Sequence, residues 1–175
     1  MSQLIVLSAI GRNRTGVVQD ITKVILSCGG NIEESRMTTL GAEFAVLMLV
    51  SGNWHTLSKL ETSLDKLTSD SLSISIRKTD ARPARSDCMP YAVDVVSLDQ
   101  QGIVFNLADF FASRDIEIAD VATRRYAAAH TGAPMFSVQM AVNIPSAESI
   151  SQLRDDFMEL CDRLNLDALL EPVKT

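Results

Sequence analysis

An internal repeat is the feature that most constrains the fold of this chain. The second half matches the first at an offset of 86 residues, which carries Gly16-Val17-Val18 onto Gly102-Ile103-Val104 and Asn13 onto Asp99. Few residues are identical, but the apolar positions and the glycine that precedes a helix coincide in order. Self-similarity of this kind indicates two copies of one supersecondary unit. With 175 residues in all, the chain has room for two small domains.

The spacing of apolar residues predicts the elements of the first copy. Alternating or continuous apolar runs predict strands, and apolar residues three and four apart predict amphipathic helices. The predicted order is strand 4–10, helix 17–28, strand 31–39, strand 44–50, helix 57–67 and strand 72–76. Gly29-Gly30 provides the left-handed cap that commonly ends a helix.

The second copy predicts the same order. Its elements are strand 91–97, helix 103–110, a hairpin of strands 116–127 and 135–142, helix 150–164 and strand 166–173. Additional hairpin residues lie near 128–133. Residues 79–89 carry charges and no apolar period, so we predict a linker there between a first domain, 1–78, and a second, 90–175. The fold class is α+β, with two ferredoxin-like βαββαβ units that each place two helices on one face of an antiparallel sheet.

The first predicted sheet is apolar on both faces. An antiparallel sheet with one wet face alternates polar and apolar residues, as 71–76 do. The runs 4–7 and 44–50 do not alternate. We therefore expect the second face to be covered by the other copy or by another subunit.

The net charge and the apolar runs of the sequence limit the partners and the location of the protein. Sixteen basic against twenty-two acidic residues give a net charge of −6, whereas a stand-alone nucleic-acid binder needs a concentrated positive surface. Two groups of basic residues have two possible interpretations: a local patch that binds phosphates or an acidic partner, or ordinary solvated charge. They are Arg77, Lys78, Arg82 and Arg85, and the pair Arg124-Arg125. We see no signal peptide and no apolar run of about 20 residues, which predicts a cytoplasmic protein and no membrane partner.

No constellation predicts catalysis or a metal site. The three cysteines are odd in number and widely spaced, which fits neither a disulfide framework nor a metal cluster. His55 and His130 have no nucleophile or carboxylate signature around them. Glu33 and Glu34 do not form a dyad unless a bulge intervenes, because neighbours on a strand point to opposite faces. We predict that the chain is not an enzyme and carries no cofactor beyond a small effector.

Two stretches of the first copy resemble the ACT domain. These are the turn Asn13-Arg14-Thr15-Gly16 before a Val-rich and Ile-rich helix, and Gly29-Gly30-Asn31-Ile32 where that helix ends. The common ACT turn reads Asp-Arg-x-Gly, from which Asn13 departs, as does Gln100 in the second copy. Residues 28–36, 40–44, 51–54 and 79–83 resemble bacterial regulators made of two tandem ACT domains. In the second copy the likeness is carried by 99–102 and 117–120.

The resemblance implies a regulator without catalysis. It implies a homodimer that senses a small amino acid, glycine first, and represses glycine cleavage genes by contacting a LysR-type activator rather than DNA. The alternative is a regulatory subunit, made only of ACT domains, of an enzyme of amino-acid metabolism. Direct DNA binding is a further class, which a steep salt dependence of operator affinity would favour.

The candidate ligand site lies at the glycine-bearing turns. A turn that opens a helix offers free backbone N–H groups and the positive end of the helix dipole to a carboxylate. An adjacent amide or carboxylate oxygen can accept from an α-ammonium group, although the same residue types also make ordinary turn and cap bonds. With the resemblance, the candidates are Asn13, Arg14, Thr15, Gly16, Asn31, Ile32, Asp99, Gln101, Gly102 and Glu117. We expect ligand at a domain interface to favour one arrangement of the two units and so to change the affinity for the partner.

Overall fold

The computed structural model describes residues 3–83 and 87–173, and the chain divides into two compact units, Met1–Pro83 and Ala84–Thr175. We call them unit 1 and unit 2. Unit 1 comprises β1 (Gln3–Arg12), α1 (Val17–Cys28), β2 (Asn31–Leu40), β3 (Glu43–Gly52), α2 (Trp54–Asp65) and β4 (Leu72–Thr79). Unit 2 comprises β5 (Cys88–Leu98), α3 (Ile103–Ala112), β6 (Glu117–Ala127), β7 (Pro134–Pro145), α4 (Ile150–Leu164) and β8 (Asp167–Pro172). The predicted α+β class and the two βαββαβ units are confirmed.

The two units share one sheet topology. All pairings are antiparallel, in the order β2-β3-β1-β4 in unit 1 and β6-β7-β5-β8 in unit 2. In each unit the central strands bury every second residue beneath the helices, as Ile5, Leu7 and Ala9 do in β1. No helix in the described residues is long and apolar enough to span a membrane.

The bounds of several elements differ from the sequence prediction. Helix α2 ends at Asp65, so Leu67 lies in the following turn, where it still packs on the core. At the predicted linker, Thr79 ends β4 and Cys88 begins β5, so both ends of residues 79–89 belong to strands. The hairpin of unit 2 is extended by the loop 128–133, closed by a bond from the Ala128 N–H to the Ala133 carbonyl. Arg85 lies outside the described residues.

The cap that ends the first helix recurs in unit 2 with a different residue. Gly29 has φ 81°, and the N–H groups of Gly29 and Gly30 donate to carbonyls in the last turn of α1. Asp115, at the equivalent position, has φ 55°, and its N–H donates in the same way to Ala112. The left-handed conformation brings an L-residue's Cβ close to a carbonyl oxygen, whereas glycine has no such contact. Unit 2 therefore holds a strained residue where unit 1 holds a relaxed one.

Asp115→Gly is expected to raise the free energy of unfolding of unit 2 by about 0.5–1 kcal/mol, because relief of the left-handed strain outweighs the entropy cost of glycine. Urea unfolding of the full chain measures it. Gly29→Asp is the matched control and should lower the free energy of unfolding. A Cβ at Gly29 would clash with nothing, since the nearest atom is Thr56 Oγ1 at 3.8 Å, so the loss would come from backbone strain alone. A destabilised Asp115→Gly protein would contradict the interpretation.

Candidate functional site

The two glycine-bearing turns have the same backbone geometry. Gly16 (φ 89°, ψ −5°) and Gly102 (φ 88°, ψ −1°) are both left-handed residues that precede a helix. Because the N-cap residue is glycine in both turns, no N-cap side chain accepts from the first amides of either helix, and at this end of α3 the Asn106 side chain donates to the Gly102 carbonyl at 2.9 Å. In α1 the Val17 N–H donates to the Arg14 carbonyl at 3.4 Å, so the amides of Val18 and Gln19 are the ones left for an anion at the positive end of the helix dipole.

Asn13 and Asp99 anchor these turns through their backbones. The Asn13 N–H donates to the Ala42 carbonyl at 3.0 Å, and the Asp99 N–H donates to the Pro134 carbonyl at 2.9 Å. Each bond ties the turn to the neighbouring hairpin of its own unit. The side chains are thereby placed at equivalent positions, so their different chemistry is directly comparable.

The side chain of Asp99 is already paired. Its Oδ2 lies 2.7 Å from Nε of Arg125 on β6, and 30% of its side chain is exposed. In the same turn Gln100 donates to the Leu164 carbonyl at 2.8 Å, which attaches the turn to the end of α4. Gln101 is exposed. The turn of unit 2 is thus closed by contacts inside its own unit, and sequence analysis missed Arg125 as the partner of Asp99.

The turn of unit 1 is more open. Asn13, Arg14 and Thr15 are exposed, and Arg14 pairs with Asp20 in the first turn of α1, with both side chains about half exposed. A cavity of about 320 Å³ lies beside the turn. It is lined by Arg12, Asn13, Arg14, Val17, Leu67, Ser69, Ser71 and Leu72. Two guanidinium groups, one amide and two hydroxyls therefore surround a space with no acidic side chain in its lining.

Asn31 and Ile32 line a different cavity. It measures about 490 Å³ and lies between α1 and the start of β2, with Gln19, Thr22, Lys23, Ile25, Leu26 and Gly30 as the other lining residues. Because α1 has 12 residues, its two ends are about 18 Å apart at 1.5 Å per residue. Within unit 1 the structure therefore does not bring Asn31 and Ile32 together with Asn13 and Gly16.

A β-bulge at Glu33 gives the start of β2 its own polar network. The register of β2 on β3 shifts between Ile32 and Glu34, so Glu33 is the additional residue. Glu33 accepts hydrogen bonds from Ser51 Oγ and, at 3.0 Å, from Asn31 Nδ2. Despite the bulge the two glutamates do not form a dyad, because Glu34 faces Arg36 instead, at 3.7 Å.

Unit 2 has a polar contact at the equivalent place, with the carboxylate on a different residue of the strand. The register of β6 shifts between Ile118 and Asp120, at the equivalent place. There Glu117, the counterpart of Asn31, accepts from Asn143, the counterpart of Ser51, at 3.1 Å. Glu117 is thus engaged within its own unit. The alternation of residue types in the sequence did not indicate either bulge.

A further cavity of about 350 Å³ lies between α3 and α4 and contains none of the predicted site residues. Arg114 fills one side of it: its guanidinium lies 4.0 Å above the Phe110 ring and 3.0 Å from Asp156. The hydrogen bond from Arg114, and then that from Gln152, lowers the pKa of Asp156. These groups satisfy one another, which is typical of a structural contact between helices.

The cysteines and histidines form no reactive cluster in the described part of the chain. Cys28 and Cys161 are buried, and burial raises the pKa of the Cys161 thiol to about 11, which disfavours the reactive thiolate. Cys88 is half-buried at the start of β5. His55 and His130 are exposed, and residues 3–83 and 87–173 contain no group of three potential metal ligands.

Comparison with known proteins finds a similarity to a family in unit 1. Residues 3–77, which form nearly all of unit 1, match the family model of the ACT domain. Unit 2 repeats the topology of unit 1 strand for strand, with the same left-handed glycine, the same anchored turn and the same bulge.

Relatives extend the similarity to nearly the whole chain. The glycine cleavage system transcriptional repressor of Escherichia coli K12 is 29% identical over 170 residues, which cover 97% of this chain and 90% of the relative. The protein of the same name from Shigella flexneri matches to the same extent.

Two solved structures are similar to this chain over nearly its whole length. The crystal structure of an unknown protein from Galdieria sulphuraria is 26% identical, with a TM-score of 0.83 over 99% of this chain and all of that one. The crystal structure of a protein provisionally named a glycine cleavage system transcriptional repressor is also 26% identical, with a TM-score of 0.76 over all of this chain and 99% of the other.

The hydrogen bonds at Glu33 generate a titration prediction. Glu33 accepts hydrogen bonds from Ser51, which has the larger effect, and from Asn31. Both bonds favour the charged carboxylate and hold the pKa of Glu33 below its ordinary value. We expect Ser51→Ala to raise this pKa and Asn31→Ala to raise it less, as measured by carbon-detected NMR of the carboxyl group. Since the pKa is lowered by folding, the bonds stabilise the fold above the ordinary pKa, and this contribution is lost as the pH falls through the folded value. An unchanged Glu33 midpoint in Ser51→Ala would show that the network is not formed.

Proposed function

We propose that this chain is a cytoplasmic, homodimeric regulator that senses a small amino acid and represses glycine cleavage genes. It acts by contacting a LysR-type activator rather than DNA, and glycine is the first candidate for the ligand. The observation that carries the proposal is the similarity, over 97% of the chain, to a glycine cleavage system transcriptional repressor. An acidic net charge of −6 supports action through a protein partner rather than through phosphates.

We assign the ligand to the turn of unit 1. Its carboxylate would accept from the amides of Val18 and Gln19 and from Arg14, which an exposed ion pair with Asp20 holds only weakly. The ammonium group would donate to the Asn13 side-chain oxygen and to the hydroxyls of Ser69 or Ser71. The open turn supports unit 1, because Asp99 at the equivalent position of unit 2 is paired with Arg125.

The remaining candidates have supporting roles in this proposal. Thr15 shapes the turn between Arg14 and Gly16, and its carbonyl accepts from the Arg14 guanidinium at 3.4 Å. Asn31 and Ile32 would meet a ligand only in the separate cavity at the far end of α1. Gln101 and Gly102 would serve an equivalent turn in unit 2, whereas Glu117, the counterpart of Asn31, would meet a ligand only at the other end of α3.

Regulation follows from linkage between the two binding events. If the ligand binds the form that the activator prefers, it strengthens the contact with the activator, and the activator strengthens ligand binding by the same factor. Coupling of this kind typically amounts to about 1–3 kcal/mol, which changes an affinity roughly 5- to 150-fold. No acid, base and nucleophile of the described residues converge on the turn, so its chemistry is suited to binding.

Calorimetric titration of the full chain with glycine, serine and alanine tests the site. We expect saturable binding of one of them, weakened roughly 5- to 10-fold by Asn13→Ala and about tenfold or more by Arg14→Gln, because the latter removes a charged donor. Asp99→Ala is the matched control in unit 2 and should leave the affinity unchanged.

Two outcomes would contradict parts of the proposal. A loss of affinity in Asp99→Ala, with none in Asn13→Ala, would move the site to unit 2. An absence of heat with every amino acid, from a folded protein, would remove the sensor function. Affinity purification with and without the bound amino acid then identifies the partner, and recovery of a metabolic enzyme in place of a LysR-type activator would favour the regulatory-subunit alternative.

A further inference from the structure

The face of the first sheet that carries no helix has an apolar centre and a polar rim. We call it the open face of sheet 1. Its residues are Val6, Ser8 and Ile10 on β1, Ala45, Leu47 and Leu49 on β3, Ser73, Ser75 and Arg77 on β4, and Glu34, Arg36 and Thr38 on β2. Ile10 is 58% exposed and Leu47 is 52% exposed. An apolar centre inside a charged rim is the usual anatomy of a protein interface.

The strand register arranges these residues in three rows across the sheet. Read from β4 through β1 and β3 to β2, the rows are Arg77-Val6-Leu49-Glu34, Ser75-Ser8-Leu47-Arg36 and Ser73-Ile10-Ala45-Thr38. In the second and third rows a large apolar side chain has a small one beside it. In the first row opposite charges stand at the two ends.

The centre of the equivalent face of unit 2 holds a polar pair. Asp94 and Gln139 replace Ser8 and Leu47 at its centre, and Gln139 donates to Asp94 at 3.1 Å. Both of these side chains are exposed. One repeat therefore keeps a water-compatible centre at the place where the other keeps an exposed leucine.

We propose that a second copy of this chain covers the open face of sheet 1, with its own open face, about a two-fold axis parallel to the strands. The inference rests on the homodimer in the proposed function and assigns its interface. Such an axis lays β1 of one copy over β3 of the other, and β4 over β2. Two sheets that pack face to face lie about 10 Å apart with their strands within about 30° of each other, which this symmetry allows.

The rows become complementary under this symmetry. Leu47 meets the partner's Ser8, and Ile10 meets the partner's Ala45, so each protruding side chain faces a small one. Val6 meets the partner's Leu49. Large side chains against small ones allow two faces to interdigitate at the packing density of a protein interior.

The charges at the rim become complementary as well. Arg77 at the β4 edge faces the partner's Glu34 at the β2 edge, and the pair occurs twice. Within one chain Glu34 lies 3.7 Å from Arg36 in an exposed pair, which stabilises little. Charge pairs at a rim determine orientation more than they add affinity. They therefore favour this axis over one that lays each strand on the same strand of the partner chain.

Transplanting the centre of the second sheet into the first tests the interface. The double variant Ser8→Asp, Leu47→Gln recreates a pair that the second sheet already holds, so we expect it to fold. We expect its dimer dissociation constant, measured by sedimentation equilibrium, to rise about tenfold or more, because each lost apolar contact occurs twice. Leu169→Gln, which changes a 59% exposed leucine of β8, is the matched control and should remain as dimeric as the unmodified chain.

A charge exchange tests the axis. Arg77→Glu alone is expected to weaken the dimer, and Arg77→Glu combined with Glu34→Arg is expected to restore it. Restoration requires the two positions to face each other across the interface, whereas separate effects on folding would add rather than cancel.

The opposing outcomes are distinct. An unmodified chain that stays monomeric at all concentrations would overturn the proposal, and so would a dimer that survives the transplant, for example one formed through the β2 edge. A dimer lost in the transplant but not restored by the charge exchange would overturn the two-fold axis. Glycine titration of the same variants reports separately on the sensor, so failure of the sensor and failure of the interface remain distinguishable.

Discussion

Each sheet buries one face beneath two helices, and this one-sided burial decides what the rest of the protein can do. The buried rows of β1 and β3, beneath α1 and α2, hold the core, and residues such as Ile5, Phe44 and Leu60 are almost wholly inaccessible. The turns and the opposite face are then free to vary, because neither contributes to that core. Fold and function are thus carried by different sets of residues in the same strands.

The helix-opening turns show how backbone and side chains separate these roles. Left-handed Gly16 and Gly102 and the anchoring amide before each are the same in both units. The side chains differ: Asp99 pairs with Arg125, whereas Asn13 stays exposed beside a cavity. One backbone therefore presents an open turn in one unit and a closed one in the other.

Much of the fold was predictable from the sequence, because it depends on local patterns. The change of apolar period located all twelve elements, and Gly29 marked the end of α1. The repeat offset paired Asn13 with Asp99, which the structure places in equivalent turns. The bulges at Glu33 and Ala119 were not predictable, since a single additional residue in an exposed edge strand leaves no apolar signature.

The candidate site was less predictable, because its partners come from distant positions. Arg125 reaches Asp99 from the next hairpin, and Ser69 and Ser71, in the segment just before β4, line the cavity beside the turn of unit 1. Contacts of this kind depend on how elements pack, and residue patterns record only how each element forms. The length of α1, which separates Asn31 from Asn13, is by contrast already given by the predicted helix 17–28.

The two bulges show which features the two units of the repeat have in common. They stand at equivalent places in two units that share few residues, and each is served by a different set of side chains, Glu33 with Asn31 and Ser51 in one, Glu117 with Asn143 in the other. In unit 2 the carboxylate stands at the position of Asn31 and the amide donor at the position of Ser51, while the bulge itself keeps its place. The backbone irregularity is therefore common to both units although the residues that satisfy it are not, so the two units resemble each other more closely here in the path of the main chain than in their sequence.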